Sequence, residues 1–233
     1  MIIPFELNGK TFEIKAYNTA QEKELLLLSS FGVDDIDKVL DLLDFHDYED
    51  LTEDEKKVIL YRFREISLGD EIDIKFTCDN CGQGNDAVLD ANNFAIPGKR
   101  NDPDIKKLHR PFKEDDMQDY VDFDVDELDI DEYESLKQRI VDNQTSISFI
   151  KPARCLKCGT QKNFNLGSPK YIIEIMSDDS LMTLYKSYNY LIFFGQYSKT
   201  DIDSMYPFER SIFIGLLNKT KEDLAKWHQT IIM

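Results

Sequence analysis

The chain has 233 residues, 42% of them hydrophobic, and a formal charge of −17, so it is long and apolar enough to bury a real core and is not a disordered segment. The acidic balance excludes a surface that works by neutralising phosphates, which needs clustered Lys and Arg, and the longest apolar runs, "YLIFFG" and "SIFIGLL", fall short of the roughly 18 residues of a membrane span. The opening "MIIPFELNGK" has no basic region followed by a long apolar stretch, so we read a protein that folds in a reducing cytoplasm. From the amino end, "PFELNGKTFEIKAYN" alternates apolar and polar residues around Asn8 and Gly9, a β-hairpin signal. Thr19 with Glu22 predicts a capping box for a helix that stops near Gly32. A second helix, "DDIDKVLDLLDF", and a third, introduced by Thr52 and Glu55, complete residues 1–70.

At Asp70 the period changes from helical to two. "EIDIKFTC" reads as a strand that turns at "CDNCG" and returns through "NDAVLDANNF". The figure recurs: "TSISFIKPARC" enters a second turn, "CLKCG", and "KNFNLGSPKYIIEIM" leaves it. Between the two units, residues 95–144 form an insertion with a probable helix, "DEYESLKQRIVDN", and the run Glu114 to Glu134, which holds twelve of the chain's 45 acids and no base. Its Asp spacing departs from the calcium-loop pattern and lacks the required glycine, so we expect a flexible acidic face or a tail for a basic partner. After Ser177 the chain turns helical: one helix capped by Asp178 or Asp179 and ending at Gly195, another opened by Pro207, and a last short one from Thr220. Tyr185, Tyr188, Tyr190, Phe193, Phe194, Tyr197, Tyr206, Phe208 and Phe213 crowd into this section. We read most of them as core, with some tyrosines shared with a partner.

The four cysteines, Cys78, Cys81, Cys155 and Cys158, all belong to C-x-x-C-G turns. Two such turns supply the ligand set of a closed tetrahedral zinc site, which stabilises a fold and leaves no position for water or substrate. A redox pair would sit at a helix amino terminus, disulfides need an oxidising compartment, and an iron–sulfur cluster would come with signs of an electron partner. The 73 residues between Cys81 and Cys155 exceed the spacing of a compact zinc ribbon. The expectation is therefore structural Zn2+ held by Cys78, Cys81, Cys155 and Cys158 in a ribbon interrupted by an insertion. Catalysis has no visible carrier: His46, His109 and His228 lie far apart, and the common phosphate-loop, metalloprotease and nucleophile-elbow motifs are missing.

The predicted fold is α+β, in three units: a hairpin with helices over 1–70, a zinc-ribbon-like β unit over 71–176 with its insertion, and a helical subdomain over 177–233. Two stretches, "YRFREISLGDEIDIKFTCDNCG" and "DIDSMYPFERSIFIGLL", together with the opening "FEIKAYNTAQEKELLL", resemble the baseplate hub and hub-assembly proteins of T4-like contractile-tailed phages. The resemblance implies a non-enzymatic component of the virion's tail baseplate, assembled in the host cytoplasm. It would dock with other hub and tail-tube-initiating proteins, in multiple copies of a symmetric assembly, without nucleic acid. On the matching positions Cys78 and Cys81 would carry a zinc knuckle, and Pro207, Phe208, Glu209 and Arg210 would shape a helix start. The resemblance does not extend to the acidic insertion, whose role it leaves open. An alternative from another class is a cytoplasmic zinc-ribbon adaptor that recruits a basic partner through Glu114 to Glu134.

Overall fold

The hairpin pattern at the amino end becomes strands β1 (Ile2–Leu7) and β2 (Lys10–Lys15), paired antiparallel from Ile2↔Lys15 to Leu7↔Lys10. The period-two alternation buries Phe12 and Ile14 of β2. The computed structural model describes residues 2–7, 10–90, 104–105, 112, 114–143 and 147–232; the predicted turn pair Asn8-Gly9 and His109 lie outside them. Helices α1 (Thr19–Ser30), α2 (Ile36–Leu42) and α3 (Glu53–Leu68) follow. The Thr52–Glu55 capping box of α3 forms as predicted. The first one does not. Asn18 caps α1 with Gln21 as its reciprocal partner, because Thr19 and Glu22 are drawn inward and are fully buried.

Two further hairpins carry the cysteine turns, β3 (Glu71–Thr77) with β4 (Gly84–Asp90), and β5 (Ile150–Arg154) with β6 (Gln161–Asn165). The exit from the second turn is strand only to Asn165, since Pro169 at the first helical turn opens α5 (Pro169–Glu174) instead. One hydrophobic core runs from β2 through α1, α2 and α3 into Ile72, Ile74, Phe76, Phe149, Leu166 and Ile172. The cysteine hairpins thus rest directly on the amino-terminal helices.

The acidic run is folded, contrary to expectation. Glu114–Tyr120 and Val125–Glu127 form 3-10 turns and α4 spans Ile130–Asn143. Met117, Tyr120, Val121 and Val125, spaced among the acids, close a small core with Leu136, Ile140 and Ile105. The described acids of the run, from Asp115 and Asp119 to Glu134, are thereby left on the outside of a packed unit.

Beyond it come α6 (Leu181–Gly195), α7 (Lys199–Ser204) and α8 (Pro207–Ile232). Ser180 caps α6 in place of the predicted Asp178 or Asp179. The two predicted last helices are one: Thr220 bonds back to the Leu216 carbonyl, 2.9 Å away, and after Pro207 no proline interrupts the 26 residues. Of the nine crowded aromatics only Tyr188 is buried; Tyr185, Phe193, Phe194 and Phe208 are exposed. Among the described residues no helix is long and apolar enough to cross a membrane. The fold is α+β.

Candidate metal centre

Each cysteine turn is built from the same backbone bonds. The Cys78 N–H donates to the Gln83 carbonyl and the Gly82 N–H to the Cys78 carbonyl, both at 2.9 Å. In the second turn Cys155 and Thr160 repeat the first bond, and Gly159 and Cys155 the second, again at 2.9 Å. Gly82 and Gly159 hold φ of 68° and 73°, the left-handed region that side chains disfavour. A Cβ at either would meet nothing within 4 Å, so glycine is required there by backbone conformation alone.

The two turns face one another and bring the four sulfurs within 4.8 Å of each other. Cys78 Sγ lies 3.6 Å from Cys158 Sγ, and Cys81 Sγ 3.7 Å from Cys155 Sγ. Both close pairs cross from one hairpin to the other. A disulfide needs about 2.05 Å, so the thiols are free. A tetrahedron with metal–sulfur bonds of about 2.3 Å has edges of about 3.8 Å, which is the scale of the two closest separations. All four sequence-predicted ligands are therefore brought together, in an arrangement compatible with a metal ion, and four protein donors complete a tetrahedral shell. Neither second cysteine leads into a helix: Cys81 precedes β4 and Cys158 precedes β6, unlike a thioredoxin-type redox pair.

Cys78 and Cys155 are buried, Cys81 is half-buried and Cys158 exposed, so the cluster closes against the core and opens at one corner. The exposed corner is lined with polar groups. Thr160 Oγ1 lies 3.2 Å from Cys158 Sγ, and Asn80 Nδ2 donates to the same sulfur at 3.8 Å and to Thr160 at 3.3 Å. Hydrogen bonding by the Thr160 hydroxyl and backbone pulls the Cys158 thiol down to about 6. The Cys158 backbone N–H lowers Cys155 as well. Cys81 moves the other way: against the lowering effect of the Gln83 N–H, desolvation and the crowding of the other three sulfurs push it up to about 12. A divalent cation reverses that logic, because a coordinating thiol is deprotonated outright.

Outer contacts hold the hairpins in place around the sulfurs. The Leu156 N–H donates to Asn85 Oδ1 at 2.9 Å, Lys162 Nζ reaches Asp79 at 3.0 Å, and the Phe76 and Phe164 rings meet edge to face at 5.4 Å.

Sequence reasoning missed a second convergence. Arg64 donates through Nε to the Ile175 carbonyl at 2.9 Å, through Nη2 to the Glu71 carbonyl at 2.8 Å and Asp178 Oδ1 at 3.0 Å, and through Nη1 to the Gly69 carbonyl. Arg210 donates to Asp179 at 2.8 Å, to both oxygens of Glu22, and to Thr19 Oγ1 at 3.1 Å. Ser177 donates to Glu22 at 2.7 Å, and the Tyr17 hydroxyl to the Met176 carbonyl. Segment 176–179 is thus gripped from α1, α3 and α8. Desolvation pulls the Arg210 guanidinium down, and Glu22 and Asp179 outweigh it and hold it above its ordinary value. Desolvation raises the Asp178 carboxyl, with Arg64 opposing. The signal was present in the residues singled out by resemblance. Arg64 lies within the quoted stretch "YRFREISLGDEIDIKFTCDNCG" and Arg210 ends "PFER", and the structure spends both on adjacent aspartates.

Of the histidines, His46 is exposed near Asp41, at 3.5 Å. Among the described residues, the four cysteines form the one group of metal-competent side chains this close together.

A family profile described as T4 bacteriophage base plate protein matches residues 2–118. No curated protein and no solved structure matches the chain. The match takes in the amino-terminal core and the whole first cysteine turn, and covers half of the sequence. The chain therefore belongs to the T4 bacteriophage base plate protein family, which places it as a structural component of the tail baseplate of the phage virion.

Proposed function

We propose that the chain is a non-enzymatic structural or assembly component of the hub region of the baseplate, acting through contacts with other hub and tail-tube-initiating proteins. A single structural Zn2+, held by Cys78, Cys81, Cys155 and Cys158, staples its two cysteine hairpins. In this reading the chain works as three consecutive units, 1–70, 71–176 with the 95–144 insertion, and 177–233, joined by the arginine-gripped segment at 176–179. The observation that carries the reading is the four-sulfur cluster in a chain of the baseplate family. Isolated two-stranded hairpins are marginal in water, and a metal bound across two of them supplies the rigidity that a docking surface needs. Zinc suits an all-thiolate tetrahedral donor set and brings no redox chemistry of its own.

Two measurements test the proposal. Metal analysis of the purified chain should return one zinc per molecule, lost in Cys81→Ser. Tail assembly in a host supplying the variant in place of the normal chain should stall before tube initiation. A metal-free protein of unchanged stability, or baseplates that assemble normally without the four cysteines, would sink it.

A further inference from the structure

The two cysteine turns share their backbone bonds and differ in what surrounds their second sulfur. Five residues after Cys78 stands Gln83, whose side-chain amide donates to the neighbouring Gly84 carbonyl at 2.9 Å. Five residues after Cys155 stands Thr160, whose hydroxyl lies 3.2 Å from Cys158 Sγ. Asn80 crosses from the first turn and donates both to that sulfur, at 3.8 Å, and to Thr160, at 3.3 Å. Among the described residues, Cys158 is the one ligand whose sulfur is reached by side-chain amide and hydroxyl groups; Cys78, Cys81 and Cys155 meet other sulfurs there.

The fastening of the two sides differs as well. Beside Cys155, the buried Asn85 accepts the Leu156 N–H at 2.9 Å and donates to the Gln83 carbonyl at 2.8 Å, so the second turn is pinned to the first by an amide shielded from water. Beside Cys158, residues 156–160 are all exposed, and so is Asn80, the amide that ties them across. Cys78 and Cys155 are 4% and 3% exposed, and displacing either opens the centre toward the core. Displacing Cys158 breaks only exposed hydrogen bonds, the kind that open locally at little free-energy cost.

We propose that Cys158 is the exchangeable ligand of the centre, the position at which a thiolate from outside the chain takes over to load or withdraw the metal while Cys78, Cys81 and Cys155 keep their hold. This inference rests on the zinc reading above and assigns how that site is filled and emptied. In the exchange the Cys158 sulfur leaves with the electron pair of its bond, the incoming thiolate supplies a pair of its own, and nothing is oxidised or reduced. The donors number four before and after. Asn80 and Thr160 are positioning residues. Their N–H and O–H groups donate to the released thiolate, whose full charge gains more from them than a sulfur already sharing its charge with a cation. The side chain is thereby kept beside the position to which it returns.

Isotope exchange tests it: the full, zinc-loaded chain is mixed with an enriched zinc isotope and followed by native mass spectrometry. The exchange rate should rise with added glutathione, used as the external thiol. Asn80→Ala and Thr160→Val should each slow exchange by about threefold with one zinc still bound, and Thr160→Ser should restore the rate. Residues that merely held the turn together would have the opposite effect, since losing them would loosen the turn and speed exchange. Limited alkylation with iodoacetamide, mapped on peptides, should label Cys158 before the other three cysteines, because reaction follows exposure of the thiolate. Exchange indifferent to glutathione, exchange in Asn80→Ala or Thr160→Val as fast as in the parent chain or faster, or a first label on another cysteine would each overturn the assignment and leave the zinc reading standing. A chain purified without zinc would end both.

Discussion

The cysteine centre and the arginine junction both tie together distant parts of one chain, and they do so by opposite means. The first joins segments 74 and 80 residues apart through four side chains of one type. The second joins segments 114 and 188 residues apart through two arginines and a mixed set of carboxylates, carbonyls and hydroxyls. The thiols are four donors of one type with no charge at their centre, and in the function proposed above an added ion supplies their cohesion. The junction already contains both signs of charge: Arg210 and Glu22 are almost fully buried and satisfy each other. On that proposal the first fastening is conditional on metal, whereas the second is complete on folding. A chain that must be rigid only once assembled in a loaded form would use the first kind for its outer hairpins and the second for its frame.

The largest expected effect breaks the conditional fastening. Stripping zinc, or Cys81→Ser, should remove stabilisation on the order of 10 kcal/mol from the two hairpins. Hydrogen exchange should then show lost protection over residues 71–90 and 150–165, with α1 and α3 still protected. Because the ligands must be deprotonated, metal affinity falls as pH falls, so zinc release followed on acid titration should precede loss of the helical signal. Uniform loss across the whole chain would mean that the two fastenings are not separable.

Next comes the frame. Arg210→Ala leaves Glu22 buried without its counter-charge, a change that costs about 3–5 kcal/mol. The urea midpoint should fall accordingly, with zinc content intact. Arg210→Lys should recover only part of the loss, since one ammonium cannot replace bonds to Glu22, Asp179 and Thr19.

A smaller test sharpens the likeness of the two cysteine turns. Gly82→Ala and Gly159→Ala should each cost about 1 kcal/mol through the left-handed backbone, measurable as a modest drop in zinc affinity, and by similar amounts because both sites are sterically open.

The smallest effect concerns Asp178. Its folded carboxyl is raised by desolvation, so its contribution to stability is present below the ordinary carboxylate range and disappears as pH rises through the raised value. The Asp178 side chain is 66% exposed, so solvent screens both this effect and its pairing with Arg64; at neutral pH Asp178→Asn should alter stability by no more than about 0.5 kcal/mol, and should flatten the acid side of the stability–pH curve. A large loss at neutral pH would show that the Arg64 ion pair dominates over desolvation.

Much of the cysteine centre was legible because its information is local. A C-x-x-C-G turn between strand-like arms encodes its own hydrogen bonds and its own left-handed glycine, and two of them exhaust the cysteines. The insertion hid nothing of that logic, since it returns the chain to the point it left. The acidic run was misread for a different reason: Met117, Tyr120, Val121 and Val125 recur at i, i+3, i+4 and i+8, a helical spacing that does mark an inward face, but the twelve acids around them drew the reading toward a solvated segment. The aromatic section misled in the other direction. Its density suggested a core, but a core needs covering elements, and Met182, Tyr185, Phe193 and Phe208 have none over them among the described residues.

What the residues determined unaided is whatever depends on neighbours a few positions away: strand alternation, the Thr52 cap, the helix opened by Pro207, and the paired metal turns. What the tertiary structure alone decided is the destination of groups with more than one good use. Thr19 with Glu22 reads as a cap by spacing, as do Asp178 and Asp179 before α6, and each offers hydrogen bonds worth about as much in either role. The choice falls to the buried arginines, because a charge removed from water without a counter-charge costs more than a helix cap returns.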